Sequence, residues 1–239
     1  MPATADFVFL HGGVQGSWVW AETLAALDLQ SGGGFGRALA LDIPGCGTKR
    51  GRATGELAID QVAAELVGDI EAAGFADVVL VGHSQAGTVL PRMIELRPHL
   101  FRRVVYVSCI APAQGQTALT WRDEIPAEPP PGEMRDLLRA LFCNDMSPDE
   151  AEAFLSRVGG DAWPEPCYAV SEWRYDHLGA VPASYFVCLR DAAVPVPLQE
   201  RFAARFQAAS LVRFDSGHQL MNTHPHALAE ALRREAGLS

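Results

Sequence analysis

Ser84 lies in "VVLVGHSQAGTVLPRM", residues 78–93, where branched apolar residues run straight into Gly-His-Ser-Gln-Ala-Gly. A serine at the joint between a buried strand and a helix has two readings. It caps a tight turn, a role that serine fills well, or it is a nucleophile on a strained corner. Such a corner needs small residues two before and two after the serine. Here they are Gly82 and Ala86, with Gly87 following. The pattern is therefore GxSxA-G, one methyl larger than GxSxG.

A hydroxyl is a weak nucleophile and needs a base to take its proton. Of the seven histidines, His218 is the best placed, in "LVRFDSGHQLMN" between the last strand and the last helix. His11 and His83 belong to their loops and are expected to orient backbone. His224 and His226, in "THPH", straddle a helix start, and no third ligand completes a metal set with them; no metal is expected. The base in turn needs an orienting acid. Asp191 ends the strand-like "SYFVCLRD", whereas Asp215 shares a turn with His218 and would have to fold back. Asp191 is the choice, and Ser84…Asp191…His218 is a known triad order. Upstream, "FLHGGVQGSW" at 9–18 places His-Gly-Gly after an early strand, a usual source of one oxyanion-hole N–H; the second comes from the residue after the nucleophile. Those residues are Gly13 and Gln85.

The elements that must position these residues follow from apolar patterning. Residues 7–10, 38–43, 78–82, 104–110, 184–189 and 210–214 read as strands, several of them apolar throughout, as parallel strands buried on both faces are. Helical spacing marks 56–74 and 225–237, closed by Gly74 and Gly237. This alternation predicts right-handed βαβ units and a doubly wound α/β sheet. From about 111 to 182 no strand pattern appears, only Pro-rich stretches, helical patterns at 133–142 and 148–158, and scattered aromatics. That stretch reads as a helical cap inserted into one domain spanning 1–239. Pro91 either kinks the helix after Ser84 or falls in its first turn, where proline is tolerated. "GCGTKRG" at 45–51 reads as a solvated loop, with Lys49 and Arg50 as weaker candidates for meeting an acidic substrate group.

Composition bounds the rest. The chain has 239 residues and a net charge of −10, with no concentrated basic face, which argues against nucleic-acid and anionic-membrane partners. The longest apolar runs fall well short of about 18 residues, and the first residues carry no basic leader pattern. Five scattered cysteines without CxxC suit a reducing compartment. A cytoplasmic monomer or homodimer acting on a small molecule is expected.

Together these motifs resemble the α/β-hydrolase superfamily across the whole chain: His-Gly-Gly at 11–13, "DIPGCGTKRG" at 42–51, the elbow at 82–87, "RDAAVPV" at 190–196 and "DSGHQLMNTHP" at 215–225. "FVFLHGGVQGSWVW" is similar to the opening of the small branch that holds plant methyl-ester esterases and hydroxynitrile lyases. The resemblance implies an α/β-hydrolase fold, a compact helical cap and no cofactor. In the lyases of that branch a threonine matches Gly12 and a lysine follows the catalytic histidine, where a cation can stabilise departing cyanide. Here the residues are Gly12 and Gln219. Serine at 84 also differs from the aspartate of epoxide hydrolases and haloalkane dehalogenases.

The expected chemistry is two-step acyl transfer on an uncharged, apolar or aromatic ester, with carbamates and lactones fitting equally well. A hydroxynitrile lyase, and a non-catalytic small-molecule receptor on the same fold, are the alternatives. The substrate is expected to meet Gly12, Val14, Val194, Gln219, Leu220 and Met221 near the triad, and the cap aromatics Trp121, Phe142, Trp163 and Trp173. Packing within the cap is the competing role for each aromatic.

Overall fold

The computed structural model describes residues 4–31, 36–120 and 133–238. Six parallel strands form one sheet: β1 (Phe7–Leu10), β2 (Ala38–Leu41), β3 (Val78–His83), β4 (Phe101–Val107), β5 (Ala183–Cys188) and β6 (Ser210–Phe214). Their spatial order is β2-β1-β3-β4-β5-β6. From β1 the chain moves outward to β2, then returns to lay β3 on the other side of β1. The direction of winding reverses between β1 and β3, and a crevice opens beyond the strand ends at such a reversal. Leu10 pairs with Gly82 across that seam, so the loop after β1 and the turn after β3 emerge side by side.

The central strands are mostly apolar because both faces are covered; Arg102 and Arg103 early in β4, Ser184 in β5 and His83 at the end of β3 are the polar positions. Side chains alternate across a strand. Val8, Leu80, Val104, Tyr106 and Val187 pack to one side, with α2 (Ile59–Ala72), α3 (Leu90–Leu96) and α7 (Val196–Arg205). Phe7, Phe9, Val79, Val81, Val105 and Phe186 pack to the other, with α1 (Ala21–Ser31) and α9 (Pro225–Glu235). Each fully buried Val, Leu, Ile or Phe contributes about 1.5–3 kcal/mol. Edge strand β6 is more exposed, and its sequence carries the polar Ser210 and Arg213.

The helix boundaries have local causes. Gln61 Oε1 accepts the Ala58 N–H at the start of α2, and Gly74, at φ 71°, ends the turn after it. After Ser84 the chain first forms a 3-10 helix over Ser84–Thr88, and α3 begins only at Leu90. Pro91 is thus in the first turn of α3, where its missing N–H costs little.

The long connection between β4 and β5 carries α4 (Met134–Phe142), α5 (Pro148–Arg157) and the short α6 (Pro166–Ala169). Ser147 accepts the Glu150 N–H, and Glu150 Oε2 accepts the Ser147 N–H, a reciprocal cap on α5. The last short helix, α8 (Leu220–Thr223), follows β6 directly. No helix among the described residues is long and apolar enough to cross a membrane.

Candidate active site

Ser84, Asp191 and His218 converge beyond the carboxyl ends of β3, β5 and β6. Ser84 Oγ lies 3.0 Å from His218 Nε2. His218 Nδ1 lies 2.7 Å from Asp191 Oδ2. A carboxylate only accepts, so Nδ1 carries the proton and Nε2 is free to accept from the serine. Asp191 Oδ1 takes the Ala193 and Val194 N–H groups at 2.7 and 2.8 Å. Oδ2 also accepts from Ser108 Oγ at 2.5 Å. Four donors therefore hold one buried carboxyl group. Asp215 instead pairs with Arg190 at the surface, because a residue in the same turn as His218 faces away from its ring.

The elbow is strained as its motif requires. Ser84 has φ 52°, a left-handed value rare for serine. A Cβ on Gly82 would stand 2.4 Å from Leu90 Cδ1 and 3.2 Å from the Ala86 methyl. Gly82 therefore leaves room for the Ala86 methyl beside it. A Cβ on Gly87 would meet the Ile110 carbonyl at 2.2 Å, so that position has no such latitude.

The loop after β1 lies against the elbow. A Cβ on Gly12 would come within 2.9 Å of Ser84 Cβ, and one on Gly13 within 2.3 Å of Gln85 Oε1. Val14 next to them has φ 55°, an outlier for a β-branched residue of the kind that clusters at functional sites. His11 and His83 hold backbone: His11 Nδ1 is 2.8 Å from the Gly12 carbonyl, and His83 Nε2 is 2.9 Å from the His218 carbonyl. Burial pushes both imidazoles below the ordinary histidine value, and for His83 the nearby His218 adds to this.

A cleft of about 350 Å³ opens over Ser84 and His218. Of the predicted contacts, Gly13, Val14, Gln85, Phe142 and Val194 line it. Phe142 also stacks on the His218 ring, with centroids 5.1 Å apart. Sequence reasoning missed Ile110, Ala118, Ala193, Tyr168 and the α4 leucines Leu137, Leu138 and Leu141. The apolar face of α4 was the available signal, but it reads equally well as core.

Several expected contacts are elsewhere. Leu220 and Met221 are fully buried in the core layer beneath α8, which turns away from the cleft directly after His218. Gln219 is fully buried and outside the cleft wall. Gly12 touches Ser84, yet its carbonyl faces Trp163 rather than the cleft. Trp163 is buried with its Nε1 3.1 Å from that carbonyl. Trp173 anchors on the Gln116 carbonyl at 2.7 Å and borders a separate cavity beside Arg92. In both, an indole N–H that must find a partner holds the ring outside the cleft wall. Trp121 lies outside the described residues. Lys49 pairs with Glu65 and Asp69, and Arg50 with Asp161, so neither reaches the cleft.

The segment between β4 and β5 bonds to each loop of the site. Asn144 Nδ2 donates to the Arg190 carbonyl beside Asp191. Asp145 Oδ2 accepts the Gly217 N–H beside His218. Trp163 reaches the Gly12 loop. Among the described residues no group of three or more His, Cys, Asp or Glu could hold a metal ion.

Comparison with known proteins is consistent with this geometry. The model of the alpha/beta hydrolase family matches residues 7–231. A putative chloroplastic methylesterase of Arabidopsis thaliana is 27% identical over 259 residues, covering 99% of this chain; the chain spans only 65% of that protein's length. A carbendazim-hydrolyzing esterase of a Nocardioides species is 27% identical over 246 residues, covering 95% of this chain and 98% of that one. Among solved structures, an extracellular alpha/beta-hydrolase from a Paenibacillus species superposes with a TM-score of 0.78 at 20% identity, covering 96% and 98% of the two chains.

Proposed function

The chain belongs to the alpha/beta hydrolase family, and on that premise we propose that it is a serine esterase cleaving small, uncharged apolar or aromatic esters. The observation that carries this is the continuous run of hydrogen bonds from Ser84 Oγ through His218 to Asp191. The esterase and methylesterase relatives support the ester-type reaction.

In this mechanism His218 Nε2 takes the Ser84 proton as Oγ attacks the ester carbonyl. The carbonyl π electrons move to oxygen, and the Gly13 and Gln85 N–H groups receive that oxyanion; one such donor is worth about 3–4 kcal/mol. The tetrahedral intermediate collapses, the C–O bond to the alcohol breaks, and His218 returns its proton to the leaving oxygen. Water then attacks the acyl-serine with His218 again as base, releasing the acid and restoring Ser84. Asp191 fixes the tautomer and stabilises the imidazolium.

Substrate class follows from the cleft walls. Apart from Ser84 and His218, the described wall residues are small or apolar except Gln85 and Tyr168, and none is Lys, Arg, Asp or Glu. A charged acyl group would lose its water there without a counter-ion. The same walls offer no cation for departing cyanide, so nothing in the cleft favours the hydroxynitrile lyase alternative. We read the β4–β5 segment as the lid of this cleft, because α4 supplies Leu137, Leu138, Leu141 and Phe142 to its wall.

The test is hydrolysis of p-nitrophenyl acetate and butyrate together with fluorophosphonate labelling. Both are expected in the native protein and both are lost in Ser84→Ala. Near-native turnover in Ser84→Ala would remove Ser84 from the mechanism.

A further inference from the structure

The geometry points to Trp163 as a positioning residue for the oxyanion hole, holding the Gly12–Gly13 peptide from the β4–β5 segment. The inference rests on the serine esterase reading above and adds a residue to it.

The Gly12 carbonyl has two side-chain partners. Trp163 Nε1 donates to it at 3.1 Å. His11 Nδ1 sits at 2.8 Å, and the Ile43 N–H donates to His11 Nε2 at 3.2 Å. An imidazole nitrogen that accepts an N–H carries no proton, so in neutral His11 the hydrogen is on Nδ1 and points at Gly12. Burial keeps His11 in that neutral form. The two rings meet edge to face, 6.3 Å apart at 89°. Two donors thus converge on one carbonyl from different elements.

Peptide planarity carries the effect onward. The peptide between Gly12 and Gly13 is trans and planar, so its N–H points opposite to its C=O. Fixing the Gly12 oxygen on the inner side fixes the direction of the Gly13 N–H. A glycine pair needs this, because glycine populates more backbone conformations than any other residue. Donors on the carbonyl also polarise the amide and strengthen the N–H as a donor.

Trp163 is itself held in place. Next to it, buried Asp161 accepts from Trp18 Nε1 at 3.0 Å and from the Gly47 N–H at 2.7 Å, and it pairs with Arg50. These contacts staple the segment to the connections after β1 and β2. Five residues after Trp163, Tyr168 forms part of the cleft wall. One short stretch therefore sets both the wall and the peptide that receives the oxyanion.

The experiment compares the native protein with Trp163→Phe and with a protein carrying benzothienylalanine at 163. The second keeps the bicyclic shape and replaces the N–H with sulfur, so it separates packing from hydrogen bonding. Loss of one neutral hydrogen bond predicts that kcat for p-nitrophenyl butyrate falls about 3- to 10-fold. A boronic acid that becomes tetrahedral on Ser84 should weaken by the same factor, while KM stays within about 2-fold. Unchanged kcat and boronate affinity in the benzothienylalanine protein overturns the inference, and so does a rise in KM alone. Hydrolysis surviving in Ser84→Ala overturns the esterase reading and this inference together; an inactive Ser84→Ala beside an unimpaired benzothienylalanine protein overturns this inference only.

Discussion

Ser108 and His218 share one oxygen of Asp191. Oδ2 accepts from the Ser108 hydroxyl at 2.5 Å and from His218 Nδ1 at 2.7 Å. Ser108 is fully buried and has φ 43°, directly after β4. Its backbone is strained much as that of Ser84 is, and the strain delivers its hydroxyl to the acid. Ser108→Ala leaves a buried carboxylate short of one donor, which costs about 1.5–3 kcal/mol for a charged acceptor. Urea unfolding should register that loss. Turnover should fall several-fold but remain far above that of Asp191→Asn, where the wrong histidine tautomer costs about 10⁴ in kcat in a comparable triad. Equal activity losses in the two variants would mean that Ser108 does more than support Asp191.

The elbow supplies a second prediction. Ala86→Gly removes a methyl that only fills the room left by Gly82, so kcat should stay within about 2-fold. Gly87→Ala drives a Cβ onto the Ile110 carbonyl, and the Ile110 N–H is bonded to the Ser84 carbonyl at 3.0 Å. Relief of that clash shifts the Ser84 peptide. Overpacking of this kind costs about 1–3 kcal/mol. The rate of fluorophosphonate labelling should drop in Gly87→Ala and stay near native in Ala86→Gly. Melting temperature should fall in both, in Ala86→Gly only by the equivalent of the roughly 0.5–1 kcal/mol that a glycine costs in a helical turn.

These contacts explain what the amino-acid pattern disclosed and what it hid. Ser84 and Asp191 each follow an apolar strand, and His218 follows the more polar edge strand; all three sit in punctuated turns, so their placement at one sheet edge was readable once parallel strands were assumed. Ser108 sits in the same way after an apolar run, but it has no motif around it. The cleft wall was hidden because Leu137, Leu138 and Leu141 make an apolar face that looks alike whether it meets core or substrate. Trp163 misled through its type: its N–H needed a partner, and that partner, Gly12, is 151 positions away. Leu220 and Met221 misled through adjacency, since α8 begins two residues after His218 and buries both in the core.

The thiols supply a third prediction. All five cysteines are buried and unpaired. Burial is the main cause that pushes Cys143 and Cys167 up to about 11, and Cys46, Cys109 and Cys188 higher still. The thiolate is the reactive form. Iodoacetamide at pH 7.5 should therefore leave ester hydrolysis intact, and a thiol-reactive chromophore should count five thiols only in denaturant. Rapid inactivation of the native protein would mean that one of these sites opens in solution.

Acid stability tests the two inner histidines. His11 and His83 are fully buried, and burial holds both below the ordinary value of about 6.5. In the unfolded chain each takes a proton as pH falls through about 6.5, while the folded protein does not until a lower pH. Over that window the unfolded state binds more protons, so stability rises with pH. The contribution is complete above about 6.5 and is lost progressively below it. Two such groups give a limiting slope of about 2.7 kcal/mol per pH unit. Urea unfolding at pH 7.5, 6.5 and 5.5 should show little change over the first step and a clear loss over the second. His83→Gln should roughly halve the slope over that second step, because only His11 then remains neutral against the unfolded chain. A flat profile down to pH 5.5 would show that both imidazoles accept their proton in the folded protein at little cost.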